Sequence, residues 1–149
     1  MLAHSVKVTV FCKEDEDMEA VRQGLLSIFP FSLEEEKLKV EQRAASGLNE
    51  KRIDVLEVKL VKETHTRKLL EYLADKLGHQ QRDVLLHQIE SRLDNELDFF
   101  IRIDKEELIK NNAWMVTDSG KCYHIRISIA AFPKKREVAK EVVKKMLSA

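Results

Sequence analysis

From Cys122 to Phe132 the side chains alternate, with Tyr123, Ile125, Ile127 and Ile129 on one side and His124, Arg126 and Ser128 on the other. A period of two is the geometry of a β-strand, whose successive side chains leave opposite faces. This segment therefore has one face for a core and one for water. The same period organises Ala3–Cys12, where Val6, Val8, Val10 and Cys12 alternate with Lys7, Thr9 and Phe11. It returns in Phe99, Ile101 and Ile103, with Phe100 and Arg102 opposed to them. Strands that are apolar on one face need a covering layer, and the rest of the chain supplies helices.

Met18, Val21, Leu25, Ile28 and Phe29 recur at three-to-four spacing up to Pro30, so a helix is expected there. The acidic run Glu14–Asp17 before it reads as a first turn facing the positive end of the helix dipole. Thr64 is the expected N-cap of a second helix carrying Leu69, Leu70, Leu73 and Leu77, stopped by Gly78. A third carries Leu85, Leu86, Ile89 and Leu93, with Arg82, Glu90 and Arg92 on its exposed side. Lys105–Asn111 has room for one or two helical turns, and Val138, Val142, Met146 and Leu147 stripe a closing helix after Pro133. Two more strands are expected at Leu33–Gln42 and Arg52–Val61, joined through residues 44–49. Another, Ala113–Thr117, is expected to form a hairpin with the last strand through Asp118–Lys121, where Asp-Ser-Gly is turn chemistry. The order βαββααβ(α)ββα predicts one α+β domain over residues 1–149. Its sheet is antiparallel or mixed, with the helices packed on one face.

Composition narrows the function classes. A chain of 149 residues with 44% hydrophobic residues can bury a core without disulfides or metal, and its four Gly and two Pro exclude low-complexity sequence. No apolar run approaches the ~18 residues of a membrane span, so a soluble, cytoplasmic protein is expected. The charged fraction of 35% exceeds the ~25% of ordinary domains, as in the surface ion-pair networks of heat-adapted proteins.

Catalytic motifs are absent. No GxGxxG or GxxxxGK[ST] loop occurs, and His65, His79 and His87 lack the spacing that puts two imidazoles on one helical face. Cys122 and His124 share a strand face without a third orienting group, so two inert thiols are expected, and no cofactor. Asp94, Asp98 and Asp104 are the carboxylates a metal-dependent nuclease would need, but turn and cap roles suit them better. The remaining signal is basic. Lys134, Lys135, Arg136, Lys140, Lys144 and Lys145 meet only Glu137 and Glu141, although the whole chain has a formal net charge of zero. Arg126 leaves the non-core face of the strand that leads there, and Arg102 and Lys105 belong to another strand end. If those strands adjoin, Arg102, Lys105, Arg126, Lys134, Lys135 and Arg136 form a patch for phosphates. Phe100, Tyr123 and Trp114 are the candidates for stacking on bases. The rival reading is a scaffold subunit or homodimer using an apolar face around Trp114, Met115 and Val116.

Three stretches carry a family resemblance: His4–Val8 with the acidic run and the helix ending Leu-Leu-Ser-Ile-Phe-Pro; Phe99–Lys105, with its Arg-Ile-Asp-Lys; and Ile127–Glu137, with its Ala-Ala-Phe-Pro-Lys-Lys-Arg-Glu. In this order they resemble the archaeal RNA-binding, exosome-associated protein family. The resemblance implies a fold similar to ribosomal protein L-five and a noncatalytic role in RNA processing. RNA and RNA-processing proteins would then be the partners.

Overall fold

The computed structural model describes residues 1–46, 51–118 and 120–148. Among these residues ten elements follow one another: β1 (Ala3–Lys13), α1 (Met18–Ser27), β2 (Glu41–Ser46), β3 (Arg52–Leu60), α2 (Glu63–His87), α3 (Ile89–Arg92), β4 (Asp98–Asp104), α4 (Lys105–Asn111), β5 (Cys122–Ile129) and α5 (Arg136–Leu147). The strands form one sheet in the order β2-β3-β1-β5-β4, and every pairing is antiparallel. The expected α+β architecture, with helices packed on one face of a sheet, is what the chain adopts.

Strand alternation decides which face is covered. Val6, Val8 and Val10 of β1 stand beside Ile127 and Ile125 of β5 and beside Leu60, Val58 and Leu56 of β3. Phe99, Ile101 and Ile103 of β4 continue the layer against Ile127, Ile125 and Tyr123. These side chains are nearly all inaccessible to water, and they join Leu25, Leu69, Ile89, Leu108 and Val143 from the five helices in one core. Asp17 caps α1, its carboxylate accepting from the backbone N–H groups of Glu19 and Ala20. Among the described residues no helix is long and apolar enough to cross a membrane.

Several elements differ from expectation, each for a local reason. The segment from Leu33 does not pair; it folds back through the bonds Lys37 N–H to Glu34 O and Leu38 N–H to Leu33 O, with Lys37 left-handed at φ 59°. Strand pairing begins only at Glu41, while Leu38 and Val40 pack against the core from the side. Residues 44–46, expected as a connection, belong to β2, and 47–49 lie outside the described residues. Thr64 is not the N-cap of α2, because the helix starts two residues earlier than that cap would set, at Glu63 after Lys62. Gly78 does break the helix, at φ 74° and ψ 172°, but the chain resumes at once. Arg82 Nη1 donates across the kink to Ala74 O at 2.7 Å, satisfying a carbonyl the break would strand. Arg92, expected on an exposed helix face, is buried and donates to Gln88, Phe100 O, Thr117 O and Asp118.

The expected sixth strand shrinks to a single bridge, Ile103 to Val116. Residues 113–117 cannot form a hairpin with β5, because β1 and β4 already occupy both its edges. They lie along β4 instead, held by Asp104 N–H to Met115 O and Thr117 N–H to Arg102 O. Trp114 is thereby buried, with its ring edge-on to Tyr72 at 5.8 Å. Of the three residues named for the scaffold reading, Trp114 is buried, Val116 is half-buried and Met115 is 44% exposed.

Candidate nucleic-acid interface

The strand positions that do not enter the core compose an open sheet face. Lys7 of β1, Arg126 of β5 and Phe100 of β4 form one row across it, and Thr9, His124 and Arg102 form the next. They line a shallow groove of about 770 Å³, with Phe11, Lys13, Arg43 and Lys121 around it. Its lining holds seven cations against two carboxylates, so the groove is strongly positive although the chain as a whole is neutral.

Both carboxylates are already engaged. Glu57 accepts from Thr9 at 3.2 Å and faces Arg43 at 3.7 Å. Glu16 is bound by Lys105, whose ammonium lies 3.0 and 3.2 Å from the two carboxylate oxygens and 2.6 Å from Phe11 O. Burial alone would raise the Glu16 pKa, but hydrogen bonds from Lys13 N–H and Lys105, together with the Lys105 charge, bring it below the ordinary carboxylate value. Lys7 and Arg102 have no side-chain partner among the described residues. Arg126 is anchored by Nε and Nη2, at 2.9 and 2.6 Å, to Oδ2 of the buried Asp98, and remains at the groove edge. His124 registers the local field. Burial lowers its pKa below 6.5, and the charges of Arg102, Lys7 and Arg126 lower it further.

The six predicted phosphate contacts therefore divide. Arg102 and Arg126 meet on adjacent strands, as the patch requires. Lys134 and Lys135 are exposed at the strand-to-helix corner, away from the groove. Lys105 is a correction: it is buried, and its charge is already committed to Glu16 and the Phe11 carbonyl. Arg136 also serves the fold. Its guanidinium caps the end of α3 through Leu93 O at 2.8 Å and Glu90 O at 3.0 Å, with the Glu90 carboxylate at 3.3 Å. Of the aromatic candidates, Tyr123 is fully buried, with its hydroxyl donating to Val21 O at 2.8 Å, and only Phe100 faces the groove. Lys7, Phe11 and Lys13 were missed. Their signal was the non-core register of β1, which gains meaning only once β1 is known to lie beside β5.

The alternative chemistries find little geometry. Asp94 accepts from Glu96 N–H and Asp98 N–H, Asp98 holds Arg126, and Asp104 caps α4 through Glu107 N–H. Asp98 and Asp104 are also separated by six residues of extended strand, about 20 Å. Among the described residues no three metal-binding side chains converge. Cys122 and His124 do share the open face, but burial raises the thiol pKa and lowers the imidazole pKa, the opposite of an activated thiolate-imidazolium pair.

A family model described as RNA binding matches residues 5–131, most of the sheet and its covering helices. The chain belongs to this RNA-binding family. Membership bears out the RNA-binding part of the resemblance drawn from the three sequence stretches. The chain is similar to the RNA-binding protein PAB1135 of Pyrococcus abyssi (strain GE5 / Orsay), 28% identical over 145 residues that cover 97% of this chain and 94% of that one. Solved structures share its fold. Protein AF2318 from Archaeoglobus fulgidus, of the DUF54 family, is 26% identical with a TM-score of 0.86, covering 97% of this chain and 99% of the other. Mth689, a DUF54 protein from Methanothermobacter thermautotrophicus, is also 26% identical, with a TM-score of 0.79 and coverage of 99% and 100%. A UPF0201 protein from Methanococcus jannaschii, 18% identical with a TM-score of 0.62 over 96% and 98% of the two chains, extends the fold further.

Proposed function

We propose that the protein binds RNA on the open face of its sheet and performs no chemistry of its own. Lys7 and Arg102 take phosphates, Arg126 adds a third contact, and Lys134 and Lys135 form an outlying contact at the strand-to-helix corner. The observation that carries this reading is the pair Lys7 and Arg102. Among the described residues they are cations without counter-ions, on a face that no helix covers, close enough to His124 to disfavour its protonation. A phosphate relieves that repulsion and releases its own condensed counterions on binding. Family membership and the name of the Pyrococcus relative support the same ligand class. The protein then acts as an accessory factor in RNA processing or degradation, alongside RNA-processing proteins, and the exosome association implied by the sequence resemblance belongs to this role.

The test is a fluorescence-anisotropy titration against a short unstructured RNA at several salt concentrations. Three groove contacts and one at the corner give a log–log salt slope of about −2.8, at about −0.7 per contact on single strands. Replacing Lys7 and Arg102 together by Ala should bring the slope to about −1.4. Replacing Lys134 and Lys135 should have a smaller effect. Affinity that does not change with salt would contradict the reading. No binding even at low salt would return the scaffold alternative to first place, with partner capture as the next experiment.

A further inference from the structure

The cations of the open face are interleaved with aromatic rings along one diagonal. Phe100 on β4 and His124 on β5 are neighbours across adjacent strands, with ring centroids 5.3 Å apart and planes tilted by 33°. Thr9 on β1 faces His124, and Phe11 lies two residues further on, so the next step of the same diagonal reaches Phe11. Such diagonal neighbours stand about 7–8 Å apart. Phe11 is 56% exposed, although its carbonyl is fixed by the Lys105 ammonium at 2.6 Å. The backbone there is thus tied to Lys105 while the ring stays in water. Arg126 and Lys7 border the diagonal on one side, and Arg102 borders it on the other.

Resting on the phosphate-binding reading above, we propose that Phe100, His124 and Phe11 form a stacking track for the bases of single-stranded RNA. Unpaired bases offer flat faces to the rings while their phosphates reach Lys7 and Arg102, the division of labour of single-strand binders. Paired RNA keeps its bases in the helical stack and cannot use the track. Neutral imidazole suits His124 to this role, since it then stacks as a ring and adds no charge.

The experiment compares three probes: a short oligoadenylate, an abasic ribose-phosphate strand of equal length, and the oligoadenylate annealed to its complement. The parent protein should prefer the oligoadenylate to both others. Phe100→Ala and Phe11→Ala should each weaken oligoadenylate binding by roughly 5- to 150-fold, the range for loss of one base-aromatic stack, and leave abasic binding unchanged. Phe100→Trp should keep the affinity, and its indole fluorescence should be quenched by the oligoadenylate but not by the abasic strand. Both positions lie outside the core, and circular dichroism checks that each variant is folded. Should the abasic strand bind as tightly as the oligoadenylate, or both Ala variants bind like the parent, the stacking track is overturned. Salt-sensitive loss in the Lys7/Arg102 variant would then leave phosphate binding standing. Absence of binding to all three probes overturns both readings.

Discussion

His124 makes the field of the open face measurable at one residue. Its pKa is lowered by burial first and then by Arg102, Lys7 and Arg126. A bound phosphate opposes those three charges, so RNA should raise the His124 pKa, as should Arg102→Ala without RNA. Following the imidazole C2 proton by NMR across pH checks both shifts, and an unmoved pKa on saturation with RNA would place the ligand elsewhere. The same shift bears on stability. The unfolded chain protonates this histidine near its ordinary 6.5, whereas the folded chain protonates it at lower pH. Below 6.5 the unfolded state therefore binds more protons, and stability falls with pH until the folded pKa is passed. His124→Gln should remove that part of the fall in urea midpoints measured across the window. At Lys105 the expectation is the opposite of a ligand contact. Lys105→Met leaves the Glu16 carboxylate with only the Lys13 N–H and removes the ammonium from the Phe11 carbonyl, a loss of about 3–5 kcal/mol by comparison with other broken buried pairs. Chemical denaturation reads that loss, and RNA affinity measured well below the lowered melting point should remain near that of the parent.

Among the elements, legibility tracked burial. β1, β4 and β5 were readable, including which residues face away, because each carries three or four apolar side chains at strict alternation. β2 was misplaced because all six of its residues are exposed, leaving no apolar pattern to announce it. Residues 113–117 looked like a strand, yet whether they pair is set by the edges of β5, which belong to tertiary structure. The site was half legible for the same reason. Of the residues proposed for the groove, Arg102 and Arg126 were expected from their own strands, while Lys7 and Phe11 enter only through the neighbour relation of β1 and β5. Lys105 binds a carboxylate and Arg136 a row of carbonyls inside the fold, partners that a cation in a sequence does not declare. The packing of α1 on β5 was equally hidden, and it rests on Gly24. A Cβ there would overlap the Tyr123 hydroxyl and approach its ring carbon Cζ to 2.8 Å, in a fully buried contact. Gly24→Ala should therefore destabilise by about 1–3 kcal/mol despite the better helix propensity of Ala. A thermal melt checks the sign, and an unchanged or raised midpoint would mean that Tyr123 has room to move.

For the molecule as a whole, a formal net charge of zero conceals segregation. Cations gather in the groove of the open sheet face, whereas Glu90, Arg136, Lys140 and Glu137 neutralise one another in a network joining α3 and α5. The long-range field is therefore weak and the local field strong, so association with RNA depends on contact distances more than on steering from afar. The groove spans β1, β5 and β4, which are fixed to one another by backbone pairing and share a single core. A ligand laid across three strands holds them in the native arrangement, so its binding energy adds to global stability. At an RNA concentration one hundred times the dissociation constant this addition is about 2.7 kcal/mol, which for a domain of this size raises the melting temperature by roughly 5–10 °C. The rise should disappear when Lys7 and Arg102 are both Ala and should shrink with added salt. Lys134→Ala/Lys135→Ala should keep most of it, because that corner lies past the last paired residues of β5 and clamps no strand to another. If the corner pair abolished the shift and the groove pair did not, RNA would be held at the strand-to-helix junction and the open face would be left without a ligand.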